Sequence, residues 1–436
     1  MTEQPSPDTL QIGIARADIT PPVGTRSAGF AGRGPLSRLH DPLYATALVA
    51  AEGEVKAALI GCDLLGLDAA TVAEVRRVVA ERTAIPAAAV TVSCTHTHYG
   101  PDPYRDQDDP LVSIYRANLI HVLAGVVEEA ESSLAPAVAG VGWGMSDIGI
   151  NRREKLPDGR VILGQNPDGA IDRAVGVLRI DTPDGAPLAC VVNHQTHPVS
   201  QTGQVDHISA DYPGRARQVV ESLTGATFLF LQGACGNINA SIMRPTYESA
   251  RTLGTRLGCE VVRVWETIAP QPFQGLAVRS RPIQLPSMRY GSAEQAAGLV
   301  IELENEIADL EIQGASEGRI WWAQRRLERA RAALESWEKG ETPPPVESEV
   351  QAWRLGALGL VTAPGEIFTQ IGLAVKEGSP FADTFFLSCS NDSIGYVPVP
   401  EAYPDGGYEV THASRVDPEA AGILREECLA ALQSVR

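Results

Sequence analysis

The chain predicts an α/β fold: a mixed central β-sheet flanked by helices, a metal site at strand C-terminal ends, and an inserted helical hairpin. Three observations carry this. The β-branched runs Val55–Cys62 and Ala88–Cys94 bracket an amphipathic stretch, Ala69–Arg82. Strand, helix, strand at that length is a βαβ unit with a parallel pair. Other strands are joined by short turns such as Glu52-Gly53-Glu54 and must be antiparallel, so the sheet is mixed. Histidine, glutamate and tyrosine recur just past apolar strands, where open α/β sheets hold their ligands.

At 436 residues the chain is read as a single catalytic domain, residues 1–436, with the hairpin at 291–340 inserted into it. A formal net charge of -18 argues against a nucleic-acid partner or an anionic membrane surface, both of which need basic patches. The polar start MTEQPSPDTLQ has no basic and apolar signal pattern, and no apolar run approaches membrane length, so no stable membrane insertion is expected. Seven scattered cysteines without a CxxC pair argue against a disulfide framework or a thiolate zinc knuckle, and a reduced, cytoplasmic location is expected.

In order, Ile12–Asp18 reads as a strand, followed by the glycine-rich segment Gly29–Pro35. That segment lacks GxGxxG spacing and reads as a loop packed close to other backbone, or as part of a pocket wall. Tyr44–Ala51 and Val55–Cys62 are paired strands, with Asp63 at the end of the second. Val72, Val75, Val78 and Val79 give the next helix its apolar face. The Ala88–Cys94 strand runs into Thr95-His96-Thr97-His98-Tyr99-Gly100-Pro101, where Gly-Pro ends regular structure. Two histidines at i and i+2 share one side of an extended segment.

Leu111–Ser133 reads as a helix with His121 an ordinary member, and Ile148–Arg153 as a short apolar piece ending in a basic turn. Strands at Val175–Ile180 and Leu188–Val192 flank a Pro-Asp-Gly turn, and the second leads to His194 and His197. Thr227–Leu231 leads into Gly233-Ala234-Cys235-Gly236-Asn237-Ile238-Asn239 and a helix at Tyr247–Glu266. Ser292–Leu310 and Ile320–Glu338 form the hairpin, with Leu299, Leu303, Ile307 and Leu310 facing Ile320, Leu327, Leu334 and Trp337. It is a plausible interface for a homo-oligomer. Leu355–Val361 is a strand ending near Glu366, Thr384–Ser388 a strand ending near Tyr396, and Pro418–Val435 a helix.

Two or three histidines, one glutamate and one tyrosine brought together at strand ends suit Zn²⁺, which takes N and O ligands and keeps a position open for water in catalytic sites. Mn²⁺ or Fe²⁺ fits the same ligand types. Glu366 also reads as a carboxylate favoured at a helix N-terminus, and Tyr396 as a core aromatic.

The motifs together resemble the catalytic domain of the neutral, non-lysosomal ceramidase family. They are ARADITPPVG from Ala15, THTHYGP, Ile150-Asn151-Arg152, Thr196–Ser200, Ile208–Gly214, QGACGNIN, Ala363–Glu366 and Gly395–Tyr403. The family hydrolyses the amide between a fatty acid and a sphingoid base. The resemblance implies metal ligation by His96, His197, Glu366 and Tyr396, with His98 beside the metal as a hydrogen-bonding or proton-handling group. It places Arg152 at the substrate's polar group and Asp211 on an aspartate of the ISxD segment. Gly236 stands where the family carries a serine, the family's immunoglobulin-like C-terminal domain is not expected here, and a substrate other than ceramide is therefore expected.

The expected activity is that of a zinc-dependent amidohydrolase on a small-molecule amide, by attack of zinc-bound hydroxide. His98, Arg152 and Tyr396 would be catalytic. Arg152, Gly233, Cys235 and Gly236 would be substrate-binding, the loop amides adding oxyanion donors. Arg152 would alternatively grip a substrate carboxylate in a two-pronged manner. A Cys235 nucleophile is the less favoured route, since a buried loop thiol is usually inert. The rivals are a zinc esterase, lyase or isomerase, and a non-catalytic ligand-binding protein.

Overall fold

A computed structural model describes residues 10–103 and 109–436. Most of the polar start read above as lacking a signal, residues 1–9, lies outside the described residues. The fold is α/β, and its strands divide among mixed sheets, three of them large. The first has the spatial order Val90–Cys94, Val55–Cys62, Tyr44–Glu52, Gln11–Asp18, with Ala135–Pro136 at its edge. The second runs Thr227–Gln232, Pro187–His194, Ala174–Asp181, Val138–Met145, then Gln271–Pro272. The third runs Leu276–Leu285, Val346–Leu355, Leu358–Thr362, Asp383–Leu387.

The three sheets share one plan. Each has a single parallel pair at one edge and antiparallel strands elsewhere. In each, a helix connects the parallel pair: α1 (Ala69–Arg82), α3 (Asp211–Thr224) and α7 (Thr369–Gly378). Further helices cover the same faces: α2 (Pro110–Ser132) on the first sheet, α4 (Glu248–Trp265) on the second, and the C-terminal helix Ala420–Gln433 on the third. The opposite faces meet in a common core, where Leu48 and Leu59 of the first sheet join Leu178 and Leu229 of the second and Trp353 and Phe385 of the third. Each of these side chains contributes about 1.5–3 kcal/mol by leaving water.

Local chemistry explains the helices. Asp68 caps α1 by accepting from the Thr71 amide, and the four predicted valines are its buried face. Asp109 caps α2 with proline in the first turn. Gly225 ends α3 in the left-handed conformation.

The parallel edges meet at their carboxyl ends. Cys94 N donates to Cys389 O at 3.0 Å, joining the first sheet to the third. Ser388 N donates to Gln232 O at 2.8 Å, and Asn193 Nδ2 bridges Leu231 O and Phe386 O, joining the third to the second. The loops after all six parallel strands therefore converge.

Several expectations are corrected. Ile148–Arg153 is not a turn: Gly149–Lys155 is a strand, paired with Val161–Asn166 and Ile238–Ala240, so Arg152 is held by a ladder. The predicted strand Leu355–Val361 is two strands around a turn at Gly356, whose φ is 63°. Val138–Met145, Leu276–Leu285 and Val346–Leu355 were not anticipated, because their glycine, arginine and glutamate content hides the strand pattern. α2 is long and apolar enough by length and composition to cross a membrane, contrary to expectation. Tyr115, Leu119, Leu123 and Val127 on its inner side pack into the core of the first sheet.

The hairpin consists of α5 (Ala293–Ile312) and α6 (Glu317–Lys339), inserted between the strands Leu276–Leu285 and Val346–Leu355. Arg326 pairs with Glu306 and Arg331 with Glu304, an antiparallel register.

Candidate metal centre

The first parallel edge delivers His96 and His98, the second His197, the third Glu366 and Tyr396. His96 is not extended: its φ of 69° is left-handed. The two histidines of the loop nevertheless meet, with ring centroids 5.0 Å apart, because the turn at His96 swings both inward. The left-handed backbone costs an ordinary residue about 1–2 kcal/mol and is sustained by packing. Among the described residues His96, His98 and His197 form a possible metal-binding group, with ligand atoms within 4.8 Å of one another.

His96 and His197 are anchored in the same way. Nδ1 of His96 lies 2.6 Å from Leu65 O, and Nδ1 of His197 lies 2.7 Å from Cys235 O. A carbonyl only accepts, so each Nδ1 carries a proton and each ring presents Nε2. Both Nε2 atoms face one oxygen, Glu366 Oε2, at 3.2 and 3.0 Å. In the neutral rings those atoms are lone pairs aimed at a carboxylate, which is repulsive unless a proton or a cation lies between them. Backbone-oriented imidazoles converging on a carboxylate fit a divalent ion of the zinc class. Burial opposes charge on Glu366, but His96 and His197 hold its carboxyl well below the usual carboxylate range. Burial also opposes charge on His197, yet Cys235 and Glu366 raise it to about 9.

His98 differs. Both ring nitrogens are buried without a hydrogen-bond partner among the described residues. Burial and then the neighbouring His96 and His197 push its pKa well below the ordinary value, so the ring is neutral. The glycine-rich loop holds it sterically. A Cβ on Gly29, whose φ is 88°, would stand 2.5 Å from His98 Cγ. Phe30 packs edge-on against the ring at 5.3 Å, and Arg33 donates to His98 O. The loop is thus the wall behind His98.

Glu366 and Tyr396 are register partners in a two-stranded parallel ladder, Glu366–Ile367 with Tyr396–Val397. Glu366 precedes α7 but turns to the histidines instead of capping that helix. Tyr396 is 4% exposed, and its hydroxyl accepts from Arg152 Nη2 at 2.9 Å. Arg152 Nη1 donates to Asn239 Oδ1 at 3.1 Å, and Nε to Glu409 Oε1 at 2.8 Å. Arg153 takes the other Glu409 oxygen at 2.7 Å. Burial pushes the Tyr396 phenol up. Glu409 was missed by the sequence reading: it lies in a helical turn, Glu409–Ala413, with no motif around it. The adjacent arginines 152 and 153 were the available signal, since a buried pair of guanidiniums needs a carboxylate.

Other expected groups fall outside the centre. His194 points away, bonded to Ala174 O and Thr196 Oγ1, and burial lowers it to about 4. Asp63 is bound by Arg217 Nη1 at 2.7 Å and the Tyr44 amide. Asp211, the first residue of α3, accepts from Ser200 and the Tyr212 amide.

The expectation that Gly233 and Gly236 supply oxyanion donors is corrected. Gly233 N donates to His194 O and Gly236 N to Ile367 O, both at 2.8 Å. Gly236 is glycine because a Cβ there would stand 2.7 Å from Glu366 O. Cys235 is fully buried; its carbonyl grips His197, and although burial opposes charge on its thiol, Cys389 and His197 hold that thiol well below the usual range.

No protein-family model matches the chain, and no curated protein matches it in sequence. Solved structures do match. One is neutral ceramidase from Pseudomonas aeruginosa, at TM-score 0.74 and 19% identity over 98% of this chain and 75% of that one. Another is a ceramidase complexed with C2, at TM-score 0.76 and 19% identity with the same coverage. At that identity the likeness is one of architecture, and this chain has a ceramidase-like fold.

Proposed function

We propose that the chain is a metal-dependent hydrolase of a small acyl amide, with Zn²⁺ as its ion. The observation that carries this is the aim of His96 Nε2 and His197 Nε2 at one Glu366 oxygen, each ring fixed from behind by a carbonyl. His96, His197, Glu366 and Tyr396 would hold the ion, which supplies Lewis acidity when bound.

The chain's own groups then divide the work of adding water across the amide. His98 is neutral and unbonded at both nitrogens, so it can accept a proton at one nitrogen and pass it to the leaving amine. Arg152 Nη2 keeps the Tyr396 oxygen turned toward Glu366 and retains a second N–H for the substrate. The surrounding burial limits water, which strengthens each of these electrostatic contacts. An amide is favoured over an ester because an amine leaving group needs a proton donor, and His98 is placed as one. The fold's likeness to ceramidases supports the same bond class.

The test is release of free amine from a panel of N-acyl amides by protein loaded with Zn²⁺. Release that stops with chelator and returns with zinc is expected. A fully loaded protein that cleaves none of them sinks the proposal.

A further inference from the structure

His98, unlike His96 and His197, has no hydrogen bond at either ring nitrogen among the described residues. Its orientation rests on what stands against the ring. Gly29 comes so near that a Cβ there would stand 2.5 Å from His98 Cγ, and the Phe30 ring meets it edge-on. These contacts last only while the glycine-rich loop is pressed against the loop carrying His98. A gap of about 1 Å would forfeit up to half of such a contact and leave the ring free to turn.

Arg33 joins the two loops. It closes a tight turn, its N donating to Phe30 O at 3.2 Å, with Gly32 left-handed at a φ of 80°. The turn folds the guanidinium back over the Phe30 ring at 4.9 Å, with the Tyr99 ring at 5.4 Å. Nε donates to Ser27 Oγ at 2.9 Å. Nη2 donates both to Ala28 O, next to Gly29, and to His98 O. Nη1 lies 3.5 Å from Val205 O, in the segment whose Gly203 packs against Phe30. The seam it spans already holds one backbone bond, Ala28 N to Gly100 O at 3.0 Å.

Each of these acceptors is a carbonyl or a hydroxyl, and no carboxylate pairs with Arg33 among the described residues. Burial lowers its pKa to about 10, against the pull of Tyr99 and Asp206. A cation so placed costs free energy that a neutral side chain would not, so filling space does not account for it. The shape of its donors does. Arginine's planar fork reaches acceptors on both loops at once, whereas a lysine ammonium is a point charge that serves one side of the seam.

We propose that Arg33 is the positioning residue of His98, clamping the Gly29–Phe30 wall against the imidazole so that one ring nitrogen stays turned to His96 and His197. It acts on the proton carrier and not on the ligands, which Leu65 O and Cys235 O anchor without it. The consequence for turnover rests on the hydrolase reading above. The clamp on the ring does not.

The experiment follows acylation of His98 by diethyl pyrocarbonate in zinc-loaded protein, mapped by mass spectrometry. The reagent attacks a neutral imidazole whose nitrogen it can reach. In Arg33→Ala, His98 is expected to react about tenfold faster than in the unaltered chain, with His194 unchanged and zinc near one ion per chain. Added methylguanidinium, which refills the seam, is expected to restore the slow reaction. In amide hydrolysis kcat is expected to fall about 10–100-fold with KM within about twofold, and to recover with methylguanidinium. Arg33→Lys, which keeps the charge, is expected to match Arg33→Ala and serves alone if the alanine variant does not fold. The proposal is overturned if His98 stays as protected in the variants as in the unaltered chain, or if methylguanidinium restores neither quantity. It is also overturned if zinc is lost together with the protection, since Arg33 would then support the whole centre. The expected acylation pattern in a protein that hydrolyses no amide would instead remove the hydrolase reading and leave the clamp intact.

Discussion

His96 and His197 come from different sheets and are held alike, whereas His98, two residues from His96, is held quite differently. The first two each spend one nitrogen on a backbone carbonyl and aim the other at Glu366. His98 spends neither, and is fixed by the Gly29–Phe30 wall and the rings around it. A ligand gains from a locked tautomer, because the lone pair then points at the ion before it arrives. A group that carries protons gains from the opposite, two nitrogens uncommitted in the resting state. The proposed division into two ligands and a proton carrier rests on this difference.

The largest expected effect tests the anchored pair. His96→Ala or His197→Ala is expected to lower bound zinc from about one ion per chain to below about a tenth, read by metal analysis of the purified protein. Full zinc content in either variant would break the comparison from the ligand side. His98→Gln is expected to keep the zinc and to lower kcat about 10²–10⁴-fold with little change in KM. Zinc lost as completely as in His96→Ala would make His98 a ligand.

Next comes the support behind Tyr396. Glu409 is 1% exposed and is the carboxylate shared by Arg152 and Arg153. Glu409→Gln leaves two buried guanidiniums without a counter-charge, a loss of about 3–5 kcal/mol in unfolding free energy, measurable by urea denaturation. Zinc stoichiometry in this variant is expected to stay near one, since the histidines are anchored elsewhere.

The smallest effects are pH-linked, and they have opposite signs in the metal-free protein. His197 is raised to about 9 from 6.5, so folding takes up a proton between those values. Its contribution is full below about pH 6.5 and is lost as pH rises through about 9. His98 is pushed well below 6.5, so the unfolded chain takes a proton that the folded chain refuses. Its contribution is present above about pH 6.5 and is lost as the solution becomes more acidic. His197→Gln should flatten the alkaline limb of the unfolding midpoint against pH, and His98→Gln the acid limb. Identical limbs in both variants would erase the distinction.

Much of the centre was legible because ligand chemistry leaves a local trace. An imidazole or carboxylate placed just past a β-branched run is readable wherever the run is clear, as at Val90–Cys94 before His96 and Pro187–His194 before His197. Glu409 left none, since a lone glutamate in an acidic chain is indistinguishable from its many solvated counterparts. The donor role expected of Gly233 and Gly236 failed for a related reason: glycine reports only that backbone comes close, and here the close neighbours are Gln195 and Glu366.

What the sequence determined by itself is the set of local preferences. These are the βαβ units, the capped helices, the hairpin and the residue types at strand ends, all governed by periodicity, capping and turn chemistry over a few residues. What only the tertiary structure decided is which ends meet and which nitrogen faces where. Those depend on three separate parallel edges packing around one core, and on carbonyls of Leu65 and Cys235 that any residue would carry, so no side-chain pattern can encode them.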